Sequence, residues 1–108
     1  MADTVAGFFS DLENKVNPEK AAGMNATYQF DITGEGGGKW YVKIADGNVD
    51  VGEGEVEGAN ITLTTDADTW IDIVNGKTSG QTASLLGKLK SQGDMSLAMK
   101  LASVFGLG

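Results

Sequence analysis

Between Tyr28 and Thr65 the apolar residues recur at every second position. Tyr28, Phe30 and Ile32 alternate with Gln29, Asp31 and Thr33, and Trp40, Val42 and Ile44 alternate with Tyr41 and Lys43. Val49 and Val51, then Ile61, Leu63 and Thr65, continue the pattern. A period of two belongs to strands with one buried face, because successive side chains point to opposite sides of a sheet. The interruptions are turn chemistry: Gly34 to Lys39 is a glycine-rich loop, and Asp46-Gly47 suits the left-handed turn of a tight hairpin.

On both sides of this block the period becomes helical. Val5, Phe8, Phe9, Leu12 and Val16 form one stripe that Asp3 or Thr4 can cap, and Asn17-Pro18 opens a short further turn that Gly23 ends. Thr65 or Asp66 can cap a third helix that Gly76 stops, and Ser79 to Leu86 reads as a fourth. Lys88 to Gln92 reads as a fifth strand, and Asp94 caps a last helix. These elements predict an α+β fold in a single domain over residues 1–108. Its sheet is five-stranded and mainly antiparallel, covered on one face by about five helices.

The last helix has little polar surface. From Asp94 onward, Ser96, Lys100 and Ser103 share a stripe about 60° wide, and apolar side chains cover about 220° of the circumference. Leu97, Leu101 and Val104 suit a sheet, whereas Met95, Met99 and Ala102, with Phe105 between the two groups, need other cover. In a short chain that cover is a ligand, a membrane or another subunit.

The same stretch resembles the sterol carrier protein 2 (SCP-2) family of lipid-binding domains. The shared pattern is Gly-Lys-Leu-Lys at Gly87 to Lys90, Gly-Asp-Met at Gly93 to Met95, and Ala-Met-Lys-Leu at Ala98 to Leu101. Upstream, Asp66, Asp68, Trp70, Ile73 and Gly76-Lys77 match the family's acidic-aromatic-aliphatic-Gly-Lys run. The resemblance extends over nearly the whole chain, so residues 1–108 are expected to be one SCP-2-like domain. It implies an apolar tunnel between sheet and helices and carries no catalytic motif.

Composition narrows the chemistry. The chain has no histidine and no cysteine, which removes Ser-His and Cys-His nucleophile pairs and imidazole or thiolate metal sites. No cofactor, metal or catalytic residue is expected, and the protein is read as a non-enzyme. A net charge of -7 argues against nucleic acid and against electrostatic docking on anionic lipid, so membrane contact is expected to be apolar and transient. The first residues lack the basic and apolar regions of a signal peptide, no run reaches membrane-spanning length, and cysteine is absent. A soluble cytoplasmic protein, monomeric or weakly dimeric, is expected. The ending Phe-Gly-Leu-Gly departs from the peroxisomal tripeptide that resembling eukaryotic proteins often carry, so that localisation is not carried over.

Three motifs have plainer explanations than the chemistry they suggest. Gly34 to Lys39 lacks the first glycine of a phosphate loop, is followed by Trp40 in place of Ser or Thr, and leads into a strand. Asp46, Asn48, Asp50 and Glu57 have calcium-loop spacing, but Val51 stands where the sharp turn needs glycine. Asp66, Asp68 and Asp72 fit the capped first turn and exposed face of one helix.

The candidate lipid-binding residues are the apolar groups that must cover one sheet face. They are Phe30 and Trp40 from the strands, Trp70 and Val74 from the third helix, and Leu85 and Leu86 from the fourth. Met95, Met99, Ala102 and Phe105 come from the last helix. Any one of them alone has plain core packing as its ordinary role. Together, with methionine supplying an adaptable wall, they predict a lipid carrier holding a fatty acyl chain, fatty acyl-CoA, phospholipid or sterol. The alternative is a protein-interaction or substrate-presenting accessory module whose apolar helix face packs on a partner subunit.

Overall fold

The computed structural model describes residues 4–105. The alternative cap Asp3 and the C-terminal tripeptide lie outside the described residues, as does the side chain of Ala102. The elements in chain order are α1 (Val5–Ser10), α2 (Leu12–Lys15), α3 (Pro18–Ala21), β1 (Asn25–Thr33), β2 (Gly38–Ala45) and β3 (Asn48–Glu53). They are followed by β4 (Ile61–Asp66), α4 (Ala67–Val74), α5 (Gly80–Leu85), β5 (Leu89–Gly93) and α6 (Met95–Phe105).

The helix starts follow the caps that the sequence offers. Thr4 Oγ1 accepts from the Gly7 amide at 2.9 Å, Asn17 Oδ1 from Glu19 at 3.0 Å, and Ser79 Oγ from Thr82 at 3.0 Å. Asp66, not Thr65, caps α4 through the Thr69 amide at 2.9 Å. The first apolar stripe is divided into α1 and α2 at Asp11, whose carboxylate accepts from the Asn14 side chain at 3.1 Å. Six helices therefore stand, among the described residues, where about five were expected.

The sheet order is β3-β2-β1-β4-β5. Three of its four pairings are antiparallel; β1 and β4 run parallel, with Tyr28 beside Ile61 and Phe30 beside Leu63. The β2–β3 hairpin turns at Asp46 and Gly47, both at positive φ (48° and 85°), and the Asp46 carboxylate accepts from the Gly23 amide at 3.1 Å. Asp46 is thus a turn fastener.

From β3 the chain crosses β2 and β1 to reach β4, over the face opposite the helices. Gln29, which alternates with the core residues Tyr28 and Phe30, is buried beneath this crossing. Its amide nitrogen donates to the carbonyls of Trp40 (3.2 Å) and Gly54 (3.1 Å), and its oxygen accepts from the Val56 amide at 2.8 Å.

The other face carries the core. Ala26, Tyr28, Phe30, Ile32, Val42, Ile44, Ile61, Leu63 and Leu89 are buried there with Val5, Phe8, Phe9 and Leu12 from α1 and α2. Trp70 and Ile73 from α4 and Leu97, Leu101, Val104 and Phe105 from α6 complete it. No helix among the described residues is long and apolar enough to cross a membrane.

Candidate functional site

The two halves of the helical layer are packed differently. Over β1 and β2, adjacent phenylalanines on α1 fill the space. The Phe9 ring is stacked between Trp40 (centroids 5.1 Å, interplanar angle 9°) and Trp70 (6.1 Å, 6°). Phe8 meets Trp70 edge-on at 5.5 Å, and Phe30 lies 5.3 Å from Trp70 and 5.8 Å from Phe105. Offset and edge-to-face pairs at these spacings are the favoured aromatic geometries. The aromatic residues consequently cover one another. The Trp70 indole N–H is buried here without a hydrogen-bond partner among the described residues.

Over β4 and β5 there is no such filling. A cavity of about 590 Å³ lies between these strands, the end of α4, α5 and α6. Its apolar floor and walls are Leu63, Ile73, Leu89, Ala98 and Leu101, with Met95 and Met99 beside them. Thr78, Ser79, Gln81, Ser84 and Ser91 add hydroxyls and one amide, and among the described residues no charged side chain lines the space. The cavity is a groove open to solvent, since Met99 is 83% exposed and Met95 54%.

Local chemistry explains how the groove is held open. Ser79 caps α5 and also donates its hydroxyl to Thr82 Oγ1 at 2.9 Å, which fixes the start of that short helix. On the far wall, the Asp94 carboxylate accepts from the Ser96 amide (3.0 Å) and hydroxyl (2.6 Å), fastening the first turn of α6. The Ser96 hydroxyl, then its amide, holds the Asp94 carboxyl below the ordinary range. Thr69 does the same for Asp66 at the start of α4, through its hydroxyl and its amide.

α6 presents the two faces that its wide apolar arc predicts. Leu97, Leu101, Val104 and Phe105 are buried, whereas Met95 and Met99 are left to the groove and its mouth. Of the nine sequence-predicted residues whose side chains are described, the structure brings these two methionines together at the groove. Phe30, Trp70 and Phe105 are fully buried in the aromatic core, and Trp40 is half-buried against Phe9. Val74 is half-buried at the end of α4 and outside the lining, and Leu85 and Leu86 project to solvent, 83% and 65% exposed. Sequence reasoning missed the polar rim. Its only signal was the run Thr78-Ser79-Gly80-Gln81-Thr82-Ala83-Ser84, dense in small polar residues between two helices. Among the described residues no group of three or more Asp or Glu side chains is placed to hold a metal ion.

Comparison with known proteins places this geometry. The model of the SCP-2 sterol transfer family matches residues 9–106. A hydroxysteroid dehydrogenase-like protein 2 from Xenopus tropicalis is 35% identical over 99 residues, covering 91% of this chain and 24% of that protein. The chain thus spans about a quarter of the length of that relative. Among solved structures, apo sterol carrier protein 2 from Yarrowia lipolytica superposes with a TM-score of 0.78 at 23% identity, covering 97% of this chain and 93% of that one. Palmitated SCP2L2 from Aedes aegypti gives 0.75 at 24% identity, with 94% of each chain covered. These two likenesses establish the α+β fold with its five-stranded mixed sheet.

Proposed function

The chain belongs to the SCP-2 sterol transfer family, and from that premise we propose that its groove carries a lipid and performs no chemistry on it. The observation that supports this most directly is the groove itself: an apolar floor, a rim of neutral hydroxyls, and a volume within the range of small-molecule sites. Burying about fifteen methylenes contributes roughly 12 kcal/mol, which after about 4 kcal/mol of association costs is enough for micromolar binding without a charged anchor. Selectivity for chain length is then weak, since one methylene changes affinity little.

The ligand classes that fit are a fatty acyl chain, a fatty acyl-CoA with its head outside, a phospholipid chain or a sterol. Met95 and Met99 serve as the adaptable wall, unbranched side chains that re-form around different shapes. The rim hydroxyls have no imidazole to activate them, and Ser79 is engaged with Thr82. Ester and thioester ligands should therefore survive incubation intact. A monomer or weak dimer in the cytoplasm is the setting in which such a carrier exchanges lipid.

The decisive experiment is titration with a fluorescent fatty acid, with Ala98→Phe as the blocked variant. Ala98 is half-buried in the groove wall, so the larger ring should fill the space and lower affinity at least tenfold with little change in circular dichroism. Equal affinity in the two proteins would remove the groove as the binding site. A second reading, presentation of the lipid to an adjoining enzyme domain, is favoured by one observation: the Xenopus relative is about four times longer than its matched segment.

A further inference from the structure

We propose that Met95 and Met99 form an oxidation site, at which a hydroperoxide converts their thioethers to sulfoxides and so weakens the hold on lipid; this rests on the carrier reading of the groove. Both side chains line that one cavity, and both are open to solvent, Met95 54% and Met99 83% exposed. They stand four positions apart on α6, which stacks them on the same side of the helix. The third methionine among the described residues, Met24, is half-buried against the core.

The other readily oxidised groups are absent or shielded. The chain has no cysteine to take the oxidant first. Trp70 is fully buried, and Trp40 is half-buried with its ring stacked on Phe9. Access governs which sulfur a peroxide reaches, so oxidation should concentrate in the groove wall. The step itself needs only the peroxide as co-reactant. A sulfur lone pair attacks the outer peroxide oxygen, an S–O bond forms as the O–O bond breaks, and the proton of the transferred hydroxyl passes to the departing oxygen. Sulfur loses two electrons, and the peroxide is reduced to water or to an alcohol.

Where the oxygen falls decides what it does. A sulfoxide turns a flexible apolar side chain into a polar one. In the empty groove its oxygen is hydrated, whereas beneath an acyl chain it faces a surface with no donor, so oxidation penalises the loaded state. Ligand-free stability should change little, because both side chains already meet solvent. Methionine sulfoxide reductases reverse the change, one for each sulfoxide epimer. The site thereby couples lipid retention to peroxide without unfolding the carrier.

The test is treatment with hydrogen peroxide or with linoleic acid hydroperoxide, followed by peptide mass mapping and titration with a fluorescent fatty acid. Met95 and Met99 should oxidise several-fold faster than Met24, and affinity should fall about tenfold at an unchanged urea midpoint. Reductase treatment should restore it. Met95→Leu with Met99→Leu, compared with its own untreated form, should keep its affinity after peroxide, whereas Met24→Leu should remain sensitive. Faster oxidation by the lipid hydroperoxide at equal concentration identifies the carried lipid as the oxidant's source, and the reverse identifies dissolved peroxide. Oxidation of Met24 as fast as of the other two overturns the inference, as does a lowered urea midpoint or a double leucine variant as sensitive as native. Untreated protein that binds no fatty acid refutes the carrier reading and this inference with it. Untreated protein that binds, and binds equally well once Met95 and Met99 are oxidised, overturns the inference alone.

Discussion

The Tyr28 hydroxyl on β1 donates a hydrogen bond to the backbone carbonyl of Leu97 in α6, 2.9 Å away and 69 positions further along the chain. This buried contact ties the first turn of α6 to the centre of the sheet, on the side where the aromatic core meets the groove. Burial, with the Asp94 carboxylate adding to it, pushes the Tyr28 phenol up from 10.0 to about 12. A group whose pKa is raised on folding stabilises the fold fully below its unfolded value and loses that contribution as pH rises through the folded one. The loss should therefore fall between pH 10 and 12 and amount to about 3 kcal/mol. Urea unfolding across this range checks it, and Tyr28→Phe should flatten the alkaline decline while lowering stability at neutral pH.

Phe9→Ala should separate the packed half of the molecule from the open half. Removing the ring between Trp40 and Trp70 leaves a cavity that their rigid indoles cannot close, at a cost of about 3 to 5 kcal/mol. Fatty-acid affinity measured where the variant remains folded should stay within about twofold of native, since Phe9 is outside the groove lining. A large loss of affinity in the folded variant would extend the binding site into the aromatic core.

On α6, Leu101→Ala and Met99→Ala should diverge in stability. Leu101 is buried at the groove floor, and its truncation should cost about 2 to 5 kcal/mol. Met99 is 83% exposed, so its truncation should change ligand-free stability by no more than about 0.5 kcal/mol and lower fatty-acid affinity instead. Equal destabilisation with unchanged affinity in Met99→Ala would make that face structural.

Gly93→Ala should be among the costliest single-methyl additions. Gly93 lies at φ +124° where β5 meets β4, and a Cβ there would stand 2.4 Å from the Asn60 carbonyl oxygen and 2.9 Å from the Ile61 Cα. Both obstacles are backbone and cannot rotate away. The expected loss exceeds about 1 kcal/mol, read as a lower urea midpoint.

Much of this was legible in the sequence for identifiable reasons. Alternation locates Phe30 and Val42 on the buried sheet face, and helical spacing separates Leu97, Leu101 and Val104 from Met95 and Met99. Alternation does not reveal strand direction, however, and the parallel β1–β4 pair depends on a crossing held by Gln29, whose burial a polar position in a strand conceals. Nor does spacing show what lies opposite a side chain. Phe30 and Trp40 from the sheet and Trp70 and Phe105 from the helices point into the layer between them as expected, but Phe8 and Phe9 arrive from the other end of the chain and fill that space. Leu85 and Leu86 close a helix of six residues, too short for periodicity to say which side is covered. The groove rim escaped because small polar residues between helices look the same whether they edge a cavity or meet only water.

The parallel pairing should also order assembly in time. The β1–β2–β3 meander is joined by two hairpins, each of which can close within microseconds. β4 must wait for the crossing over Gln29 to bring Ile61 beside Tyr28, 33 positions earlier, and β5 must wait for β4. The groove floor, made by Leu63, Leu89 and Leu101, should thus dock after the meander and open more readily than it in native-state fluctuations. Amide hydrogens of β5 should exchange faster than those of β1 and β2. Occupancy of the groove should slow them selectively, because a ligand lends its binding energy to whichever part of the molecule would otherwise come apart first.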